Sequence, residues 1–552
     1  MATIELNDPF TGEWTSFLET DFTYNGSTIT DALCDDIIYK KVTGKYYRRI
    51  LIENIVNVIW FGVSGNGTTD DTNKINEAIT KSAAINGILF FPEGRYKITG
   101  SGLNLLSNSN LLGIGKDTVF EMDDNANWCI SANSGNGGTD DVNDNIKNIT
   151  VKNIHFKSVN NQFSEFKHLM NLNAVSDVII EGCYFIQFRG DGVYIGSSND
   201  GGTVERHNER VFVRNCHFDG VNHANRNGVT IIDCNTAVIE DCTFANCSLD
   251  EPITIDGKTI PRMPGAIDIE PDIHDFHIVK NIIIRNNTFK NVGGSPGVIS
   301  IIINKITTKC DNIVIENNYI SECTSANAIC ISTSRGATSF DELNDCMVTV
   351  QNNIFEGTPG FDNRAMTITA SKNVKIFDNK FSNFDRSCII SYEEPDNIAE
   401  KSYISNIYME RNLFHKLGLK EQVSFSCFNI KNFQFKNNEL KGISESNNVN
   451  DFFFYFIRGV SSEIIFERNT FINPFGYTIV LGPSHTTEEN TNTFANNYFD
   501  GLYNWSFHWL RESAPLTFRN AAPPNGHIFY DETNNVSQMY LGGTWKTITM
   551  EP

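Results

Sequence analysis

The chain has 552 residues, 40% of them apolar with 40 Phe among them, and a formal charge of −22 from 44 basic and 66 acidic side chains. That balance excludes a nucleic-acid partner, whose phosphates recruit Lys and Arg, and disfavours a strongly anionic polymer unless a local basic patch offsets the field. The 13 cysteines show no C-x-x-C or Cys/His metal spacing, which argues against a disulfide framework, a zinc site or any other metal site; no stretch approaches the ~20 apolar residues of a membrane span, and MATIELNDPFTGEW lacks the basic start and apolar run of a secretory signal.

Residues 1–55 read as a short region of strands with one basic-aromatic piece, KKVTGKYYRRI, for which a solvated hairpin face is the simplest expectation. In WFGVSGNGTTDDTNKINEAITKSAAINGILFFPEGRYKI (60–98), Thr69 or Asp70 is placed to N-cap a helix near 70–85. Its apolar stripe is Ile75, Ala78, Ile79 and Ala83. GILFFPEGRYKI then reads strand, Pro-Glu-Gly turn, strand, and the helix is suited to plug the open end of a core.

From residue 150 to 500 one motif recurs: an apolar strand, two polar residues that are often Asn-Asn, one variable residue, then Phe. VKNIHF, IEGCYF, VRNCHF, IEDCTF, IRNNTF, IENNYI, VQNNIF, IFDNKF, MERNLF, FKNNEL, FERNTF and FANNYF are its instances. A fixed register with variable spacing is how a solenoid reads in sequence. No single unit is long enough to make its own core, so stacked units must share one. Parallel strands lie ~4.8 Å apart, so equal positions form columns. Two residues before the closing Phe, the column reads Ile154, Cys183, Cys216, Cys242, then Asn287, Asn318, Asn353, Asn379, Asn412, Asn438, Asn469 and Asn497. The asparagines suggest a ladder of side-chain amides, the cysteines small inward residues, and the Phe column an aromatic stack. The fold class this predicts is all-β: a single-stranded parallel β-helix of about 12 coils at residues 56–500, its ends capped against edge pairing.

Each coil carries a second strand about ten residues after the Phe: GVYIG, GVTII, AIDIE, VISII, AICIS and AMTIT. The inward positions are apolar throughout. The outward columns read Tyr194, Thr230, Asp268, Ser300, Cys330, Thr367 and Gly196, Ile232, Glu270, Ile302, Ser332, Thr369. Asp268 and Glu270 are the sole acids in these columns. Two residues along a strand are ~6.5–7 Å apart, which spans the separations of both retaining and inverting glycosidases. Ile232 and Ile302 predict a raised pKa for Glu270, and Thr230 and Ser300 an ionised Asp268, the split that acid–base chemistry needs. The competing expectation is that these acids simply bond loop residues such as Lys258 or Arg262.

Asp233, about one coil from Glu270, and Asp191, in RGDGVYIG, are further catalytic candidates and Arg189 a substrate-binding one, although Asp191 precedes a strand where Asp-Gly is ordinarily a turn. His223, Asn225 and Arg226 in NHANRNG, with Tyr194, are candidates to bind sugar hydroxyls, although lone surface His and Arg are more often solvated. The long step from Phe244 to Phe289 holds CSLDEPITIDGKTIPRMPG, an insertion able to wall a groove. SYEEPDNIAEK (391–401) reads as a solvated loop. After residue 500 the repeat stops; NWSFHWL offers Trp505 and Trp509 as an interface or a sugar platform, and PPNGHIFYDETNNVSQMYLGGTWKTI reads as a hairpin of two short aromatic strands within a C-terminal region of 501–552.

Gly65–Asn66–Gly67–Thr68–Thr69–Asp70–Asp71, the helix, and Phe91–Pro92–Glu93–Gly94–Arg95–Tyr96 resemble the N-terminal signature of the pectate-lyase-like right-handed parallel β-helix superfamily. The version opening Trp60–Phe61–Gly62 is similar to phage tailspikes and capsule depolymerases, GAIDIEPD looks like a motif of phage depolymerases, and Asp191 resembles the Gly-Asp-Gly of polygalacturonases. The resemblance implies right-handedness, a homotrimer, a virion tail adaptor partner, a bacterial surface polysaccharide as substrate and no cofactor. It implies a protein made in the host cytoplasm that acts outside the cell on the phage tail, with residues 1–55 as a short adaptor. Three functions stay open: a glycoside hydrolase using Asp268 and Glu270, a polysaccharide lyase recruiting His223, Arg226 and Tyr194, and a non-catalytic glycan-binding fibre.

Overall fold

The computed structural model forms two compact units, Met1–Thr243 and Phe244–Pro552. It describes residues 2–134, 144–197, 205–255, 257–271, 274–391, 403–421, 423–442, 452–472, 477–487, 493–500, 507–509, 528–531, 536–541 and 544–548. Trp505 and SYEEPDNIAEK beyond Ser391 lie outside the described residues.

The first unit opens with a four-stranded antiparallel sheet in the order Thr3–Asn7, Trp14–Glu19, Lys45–Arg49, Tyr39–Val42. The basic-aromatic piece is indeed a hairpin, with Val42 opposite Lys45, but it is not wholly solvated. Arg49 is buried in an ion pair with Asp8, and its guanidinium lies 4.0 Å from the centroid of the Trp60 ring. A guanidinium removed from water requires such a counter-charge, and the π face adds to it. This contact fastens the sheet to the Trp60–Phe61–Gly62 turn. Gly62 sits at φ 71, and a Cβ there would approach the Phe10 ring to 2.7 Å, so the turn requires glycine.

The helix runs Thr72–Ala84, starting later than expected. Asp70 accepts from Thr72 N at 3.0 Å and from Thr99 Oγ1 at 2.7 Å. Asp71 accepts from the amides of Ser64 and Gly65, both at 2.9 Å. Thr69 plays no capping part; its amide donates to Asn66 Oδ1. Ile75, Ala78, Ile79 and Ala83 are buried, facing the strands Ile88–Phe90 and Leu103–Asn104.

Beyond the helix each coil contributes three parallel strands. In the first unit the three registers include Val178↔Val211↔Ala237, Phe156↔Phe185↔Phe218 and Met170↔Val193↔Val229. In the second they include Ile282↔Ile313↔Val348↔Val374↔Ile407, Phe289↔Ile320↔Phe355↔Phe381↔Phe414↔Leu440 and Ile267↔Ile299↔Ile329↔Met366. The chain is a right-handed parallel β-helix. The Phe column stacks face to face, with centroids 5.1 and 4.8 Å apart along Phe156, Phe185 and Phe218, and 4.7 and 5.2 Å along Phe355, Phe381 and Phe414.

The asparagine ladder of the second unit is unbroken from Asn287 to Asn497. At each rung the backbone N–H and the side-chain Nδ2 of one Asn donate to Oδ1 of the next, at 2.8–3.2 Å. The residue before each rung is left-handed: Asn286, Asn317, Asn352, Asp378, Arg411, Asn437, Arg468 and Asn496. Asn and Asp tolerate that conformation best among residues with a Cβ, which explains the doubled Asn. In the first unit Cys183 and Cys216 point inward, their thiols 3.5 and 3.7 Å from the carbonyls of Val151 and Ile180.

At the C-terminal end the expected two-stranded hairpin gains a third strand. Ile528–Asp531, Val536–Leu541 and Thr544–Ile548 form one antiparallel sheet. Among the described residues no helix is long and apolar enough to cross a membrane.

Candidate functional site

In the second unit the strand Ile267–Ile269 holds Asp268 between two fully buried isoleucines. Register pairs Asp268 with Ser300, then Cys330, Thr367, Ile389 and Ser426, all neutral. The expectation that both acids open onto a groove needs correction. Asp268 is 0% exposed, and Ser300 is equally buried; the column becomes half-exposed only at Thr367 and beyond. Glu270, one residue past the strand, is half-buried and is the acid of the pair that solvent reaches. Burial first, and the Asp268 charge second, push the neighbouring Cys330 thiol up to about 12, so the wall beside Asp268 stays neutral at physiological pH.

The insertion after Phe244 is clamped across two further coils. Asp250 accepts from Arg262 Nη2 at 2.9 Å, Thr324 Oγ1 at 2.7 Å and Gly294 N at 3.1 Å, and Arg262 Nη2 also donates to Thr324 O at 3.2 Å. Between these anchors the chain makes a hairpin, Ile253–Ile255 against Lys258–Ile260. Arg262 is thus committed to Asp250.

In the first unit Asp191 is not in a solvated turn. It is fully buried. Oδ1 accepts from Asn227 N at 3.0 Å, and Oδ2 lies 3.1 Å from His168 Nδ1 and 3.9 Å from Arg226 Nη1. Burial alone would raise its pKa, but Arg226, His168 and the Asn227 amide outweigh it and hold the carboxyl below the usual carboxylate range. The His168 ring stacks flat on Tyr194, centroids 4.6 Å apart. Asp191, Arg226 and Tyr194 are therefore brought together, with His168 as the member that sequence reasoning missed.

Asp233 belongs to a second constellation. It is fully buried, and its Oδ2 lies 2.9 Å from His207 Nδ1, while His207 Nε2 lies 2.9 Å from Glu205 Oε1. Burial works against the charged imidazole, but the two carboxylates prevail and raise the His207 pKa. His207 and Glu205 were also missed. A signal existed: His168 precedes Asp191 by 23 residues and His207 precedes Asp233 by 26, each about one coil.

The remaining candidates stand apart. Asn225 is fully buried and its Nδ2 donates to Gly220 O at 3.2 Å, which makes it a brace of its own turn rather than a sugar contact. Arg189 donates to Gln162 O at 2.6 Å and pairs with Asp124 at 3.1 Å, tying loops together. His223 is half-buried at φ 58 within that turn. Among the described residues no group of three or more His, Cys, Asp or Glu is arranged to hold a metal ion.

Comparison with known proteins bears on this geometry. YclG, an uncharacterized protein of Bacillus subtilis strain 168, is 25% identical over 415 residues, covering 68% of this chain and 67% of that protein. A glucan 1,3-beta-glucosidase of Cochliobolus carbonum is 29% identical over 77 residues, 14% of this chain and 10% of that one. Among solved structures, gene product 12 of bacteriophage phi29 shares the fold. Its N-terminal fragment matches with TM-score 0.52 at 13% identity over 81% of this chain and 71% of the fragment, and its pre-mature form with TM-score 0.50 at 14% identity over 82% of this chain and 58% of that form. Residues 55–251 match the family described as rhamnogalacturonase A/epimerase, pectate lyase-like, and the fold of the chain is a right-handed parallel β-helix.

Proposed function

We propose that the chain binds and cleaves a bacterial surface polysaccharide by glycoside hydrolysis: Glu270 donates its proton to the departing glycosidic oxygen, a water adds to the anomeric carbon, and the proton that water loses restores the Glu270 carboxyl. The observation that carries this is the pairing of a half-buried carboxyl with a buried one on the same strand face, in columns that are otherwise neutral. The apolar Ile302 on the next coil and the Asp268 carboxyl two residues away both disfavour a charge on Glu270, the setting a general acid needs. Asp268 is out of reach of sugar, and acts through Glu270 as a positioning residue. The virion setting, as a homotrimer joined to a tail adaptor through residues 1–55, is supported by the sequence resemblance to tailspikes and by the shared fold of a bacteriophage gene product.

A second reading, β-elimination on a uronate polymer, is favoured by one observation: Arg226 and His168 converge on Asp191. Incubation with capsular polysaccharides and exopolysaccharides from candidate hosts, followed by mass analysis, separates the possibilities. Hydrolysis gives fragments with new reducing ends and saturated termini. Unsaturated termini would establish the lyase, and binding without fragments the receptor fibre.

A further inference from the structure

The net charge of −22 repels an anionic polymer unless the surface holds a local basic patch. The second unit holds one, on the solvent face of the sheet that carries the Phe column inside. Lys380 pairs in register with Leu413 and then Glu439; on the next outward column Ser382 pairs with His415 and then Lys441. Lys416 adjoins His415 in a left-handed corner. Lys380 and Lys441 are exposed, and His415 and Lys416 half-buried. Neither Lys380 nor Lys441 forms an ion pair among the described residues, unlike the adjoining face, where Arg411 pairs with Asp378 and Glu410 at 2.8 Å each and Lys436 with Glu467 at 3.7 Å. Of the charges that act most on His415, Glu439 is the one carboxylate, against three lysines: burial first, then Lys416, Lys441 and Lys380, hold the imidazole below its ordinary pKa. Two strand spacings separate Lys380 from Lys441, ~10 Å along the coil axis, which suits charges repeated along an extended chain.

We infer that Lys380, His415, Lys416 and Lys441 form a docking site for an anionic polysaccharide, away from the Asp268–Glu270 strand. The inference rests on the polysaccharide-acting reading and narrows it to an acidic glycan. A neutral glycan has no use for clustered ammonium groups, whereas each carboxylate, sulfate or phosphate of an acidic chain relieves their mutual repulsion. Leu413 and the exposed Ile354, which precedes Lys380 in the column, give the pyranose faces an apolar floor.

The test uses the full chain and the Lys380→Ala/Lys441→Ala double variant on immobilised polygalacturonate, immobilised alginate and neutral dextran at rising salt. The expected result is retention of the wild type on at least one acidic polymer and not on dextran, weakened by salt as exposed charges are screened. The double variant is expected to bind roughly tenfold more weakly, and the His415 ring, followed by NMR, to titrate at higher pH when the acidic polymer is bound. Retention on neither acidic polymer, or retention that the double variant leaves unchanged, overturns the inference. So does self-association of the wild type at low salt that the double variant abolishes, which would assign the patch to a second copy of this acidic chain. Retention does not depend on cleavage: an acidic polymer held but not cut overturns the hydrolase and leaves the patch standing, and fragments released without retention do the reverse.

Discussion

His207 Nδ1 lies 2.9 Å from Oδ2 of Asp233, a carboxylate with no exposed surface. A protonated imidazole stabilises that carboxylate out of water, beside the Asn208 N–H that donates to Oδ1 at 3.3 Å. Folding raises the His207 pKa, so its contribution to stability is full below the unfolded value of ~6.5 and is lost as pH rises through the folded value. His207→Gln is therefore expected to cost about 1–3 kcal/mol near pH 6 and distinctly less at pH 9, measured as the difference in chemical unfolding midpoints. An equal cost at both pH values would contradict the charged pair.

The asparagine ladder predicts a position-dependent cost. Asn379 Nδ2 donates to Asn412 Oδ1 at 3.0 Å and Val350 O at 2.8 Å, and its Oδ1 accepts twice from Asn353 at 2.9 Å. Asn379→Ala leaves the Asn353 backbone N–H without its acceptor, while Asn353 Nδ2 keeps Ile315 O and Gln351 O at 2.9 Å, and is expected to cost about 1–3 kcal/mol. Asn497→Ala, at the last rung where burial is partial, is expected to cost about half as much on the same argument. Thermal melts of the two variants check the order.

These columns were legible because a repeat prints its own register: the same offset from Phe recurs, and stacking turns offset into contact. The burial of Asp268 was not legible. Alternation assigns a face, whereas what covers that face comes from chain outside the strand. The expected N-cap at Thr69 or Asp70 came close because Asp70 does cap Thr72, but the competing bonds of Asp71 to Ser64 and Gly65 fix where the helix begins. His168 and His207 lie outside the constant part of the repeat, so only their one-coil offsets from Asp191 and Asp233 marked them.

Thiol accessibility gives a third prediction. Of the 13 free cysteines, Cys34 alone is not buried, and burial pushes the thiols of Cys129, Cys183, Cys216 and Cys427 far up. A thiol reagent is expected to label at most one cysteine in the native chain and all of them after denaturation. Rapid native labelling of several would contradict inward packing of the column.

The clamp at Asp250 predicts local release. Asp250→Ala removes the acceptor shared by Arg262, Thr324 and Gly294. Limited trypsin digestion is expected to cut at Lys258 or Arg262 several-fold faster than in the wild type, with the melting temperature little changed, since the hairpin adds few buried contacts. A cut rate equal to wild type would mean that the hairpin is held by other means.

Turnover of one defined oligosaccharide by wild type, Glu270→Gln and Asp268→Asn, each with its melting temperature checked, tests the assignment of Glu270 most directly. The predicted result is a loss of roughly 10²–10⁴-fold for Glu270→Gln, and for Asp268→Asn a smaller loss with the alkaline limb of the pH profile moved to lower pH, as removal of a neighbouring negative charge requires. A folded Glu270→Gln protein that cleaves at the wild-type rate would contradict it.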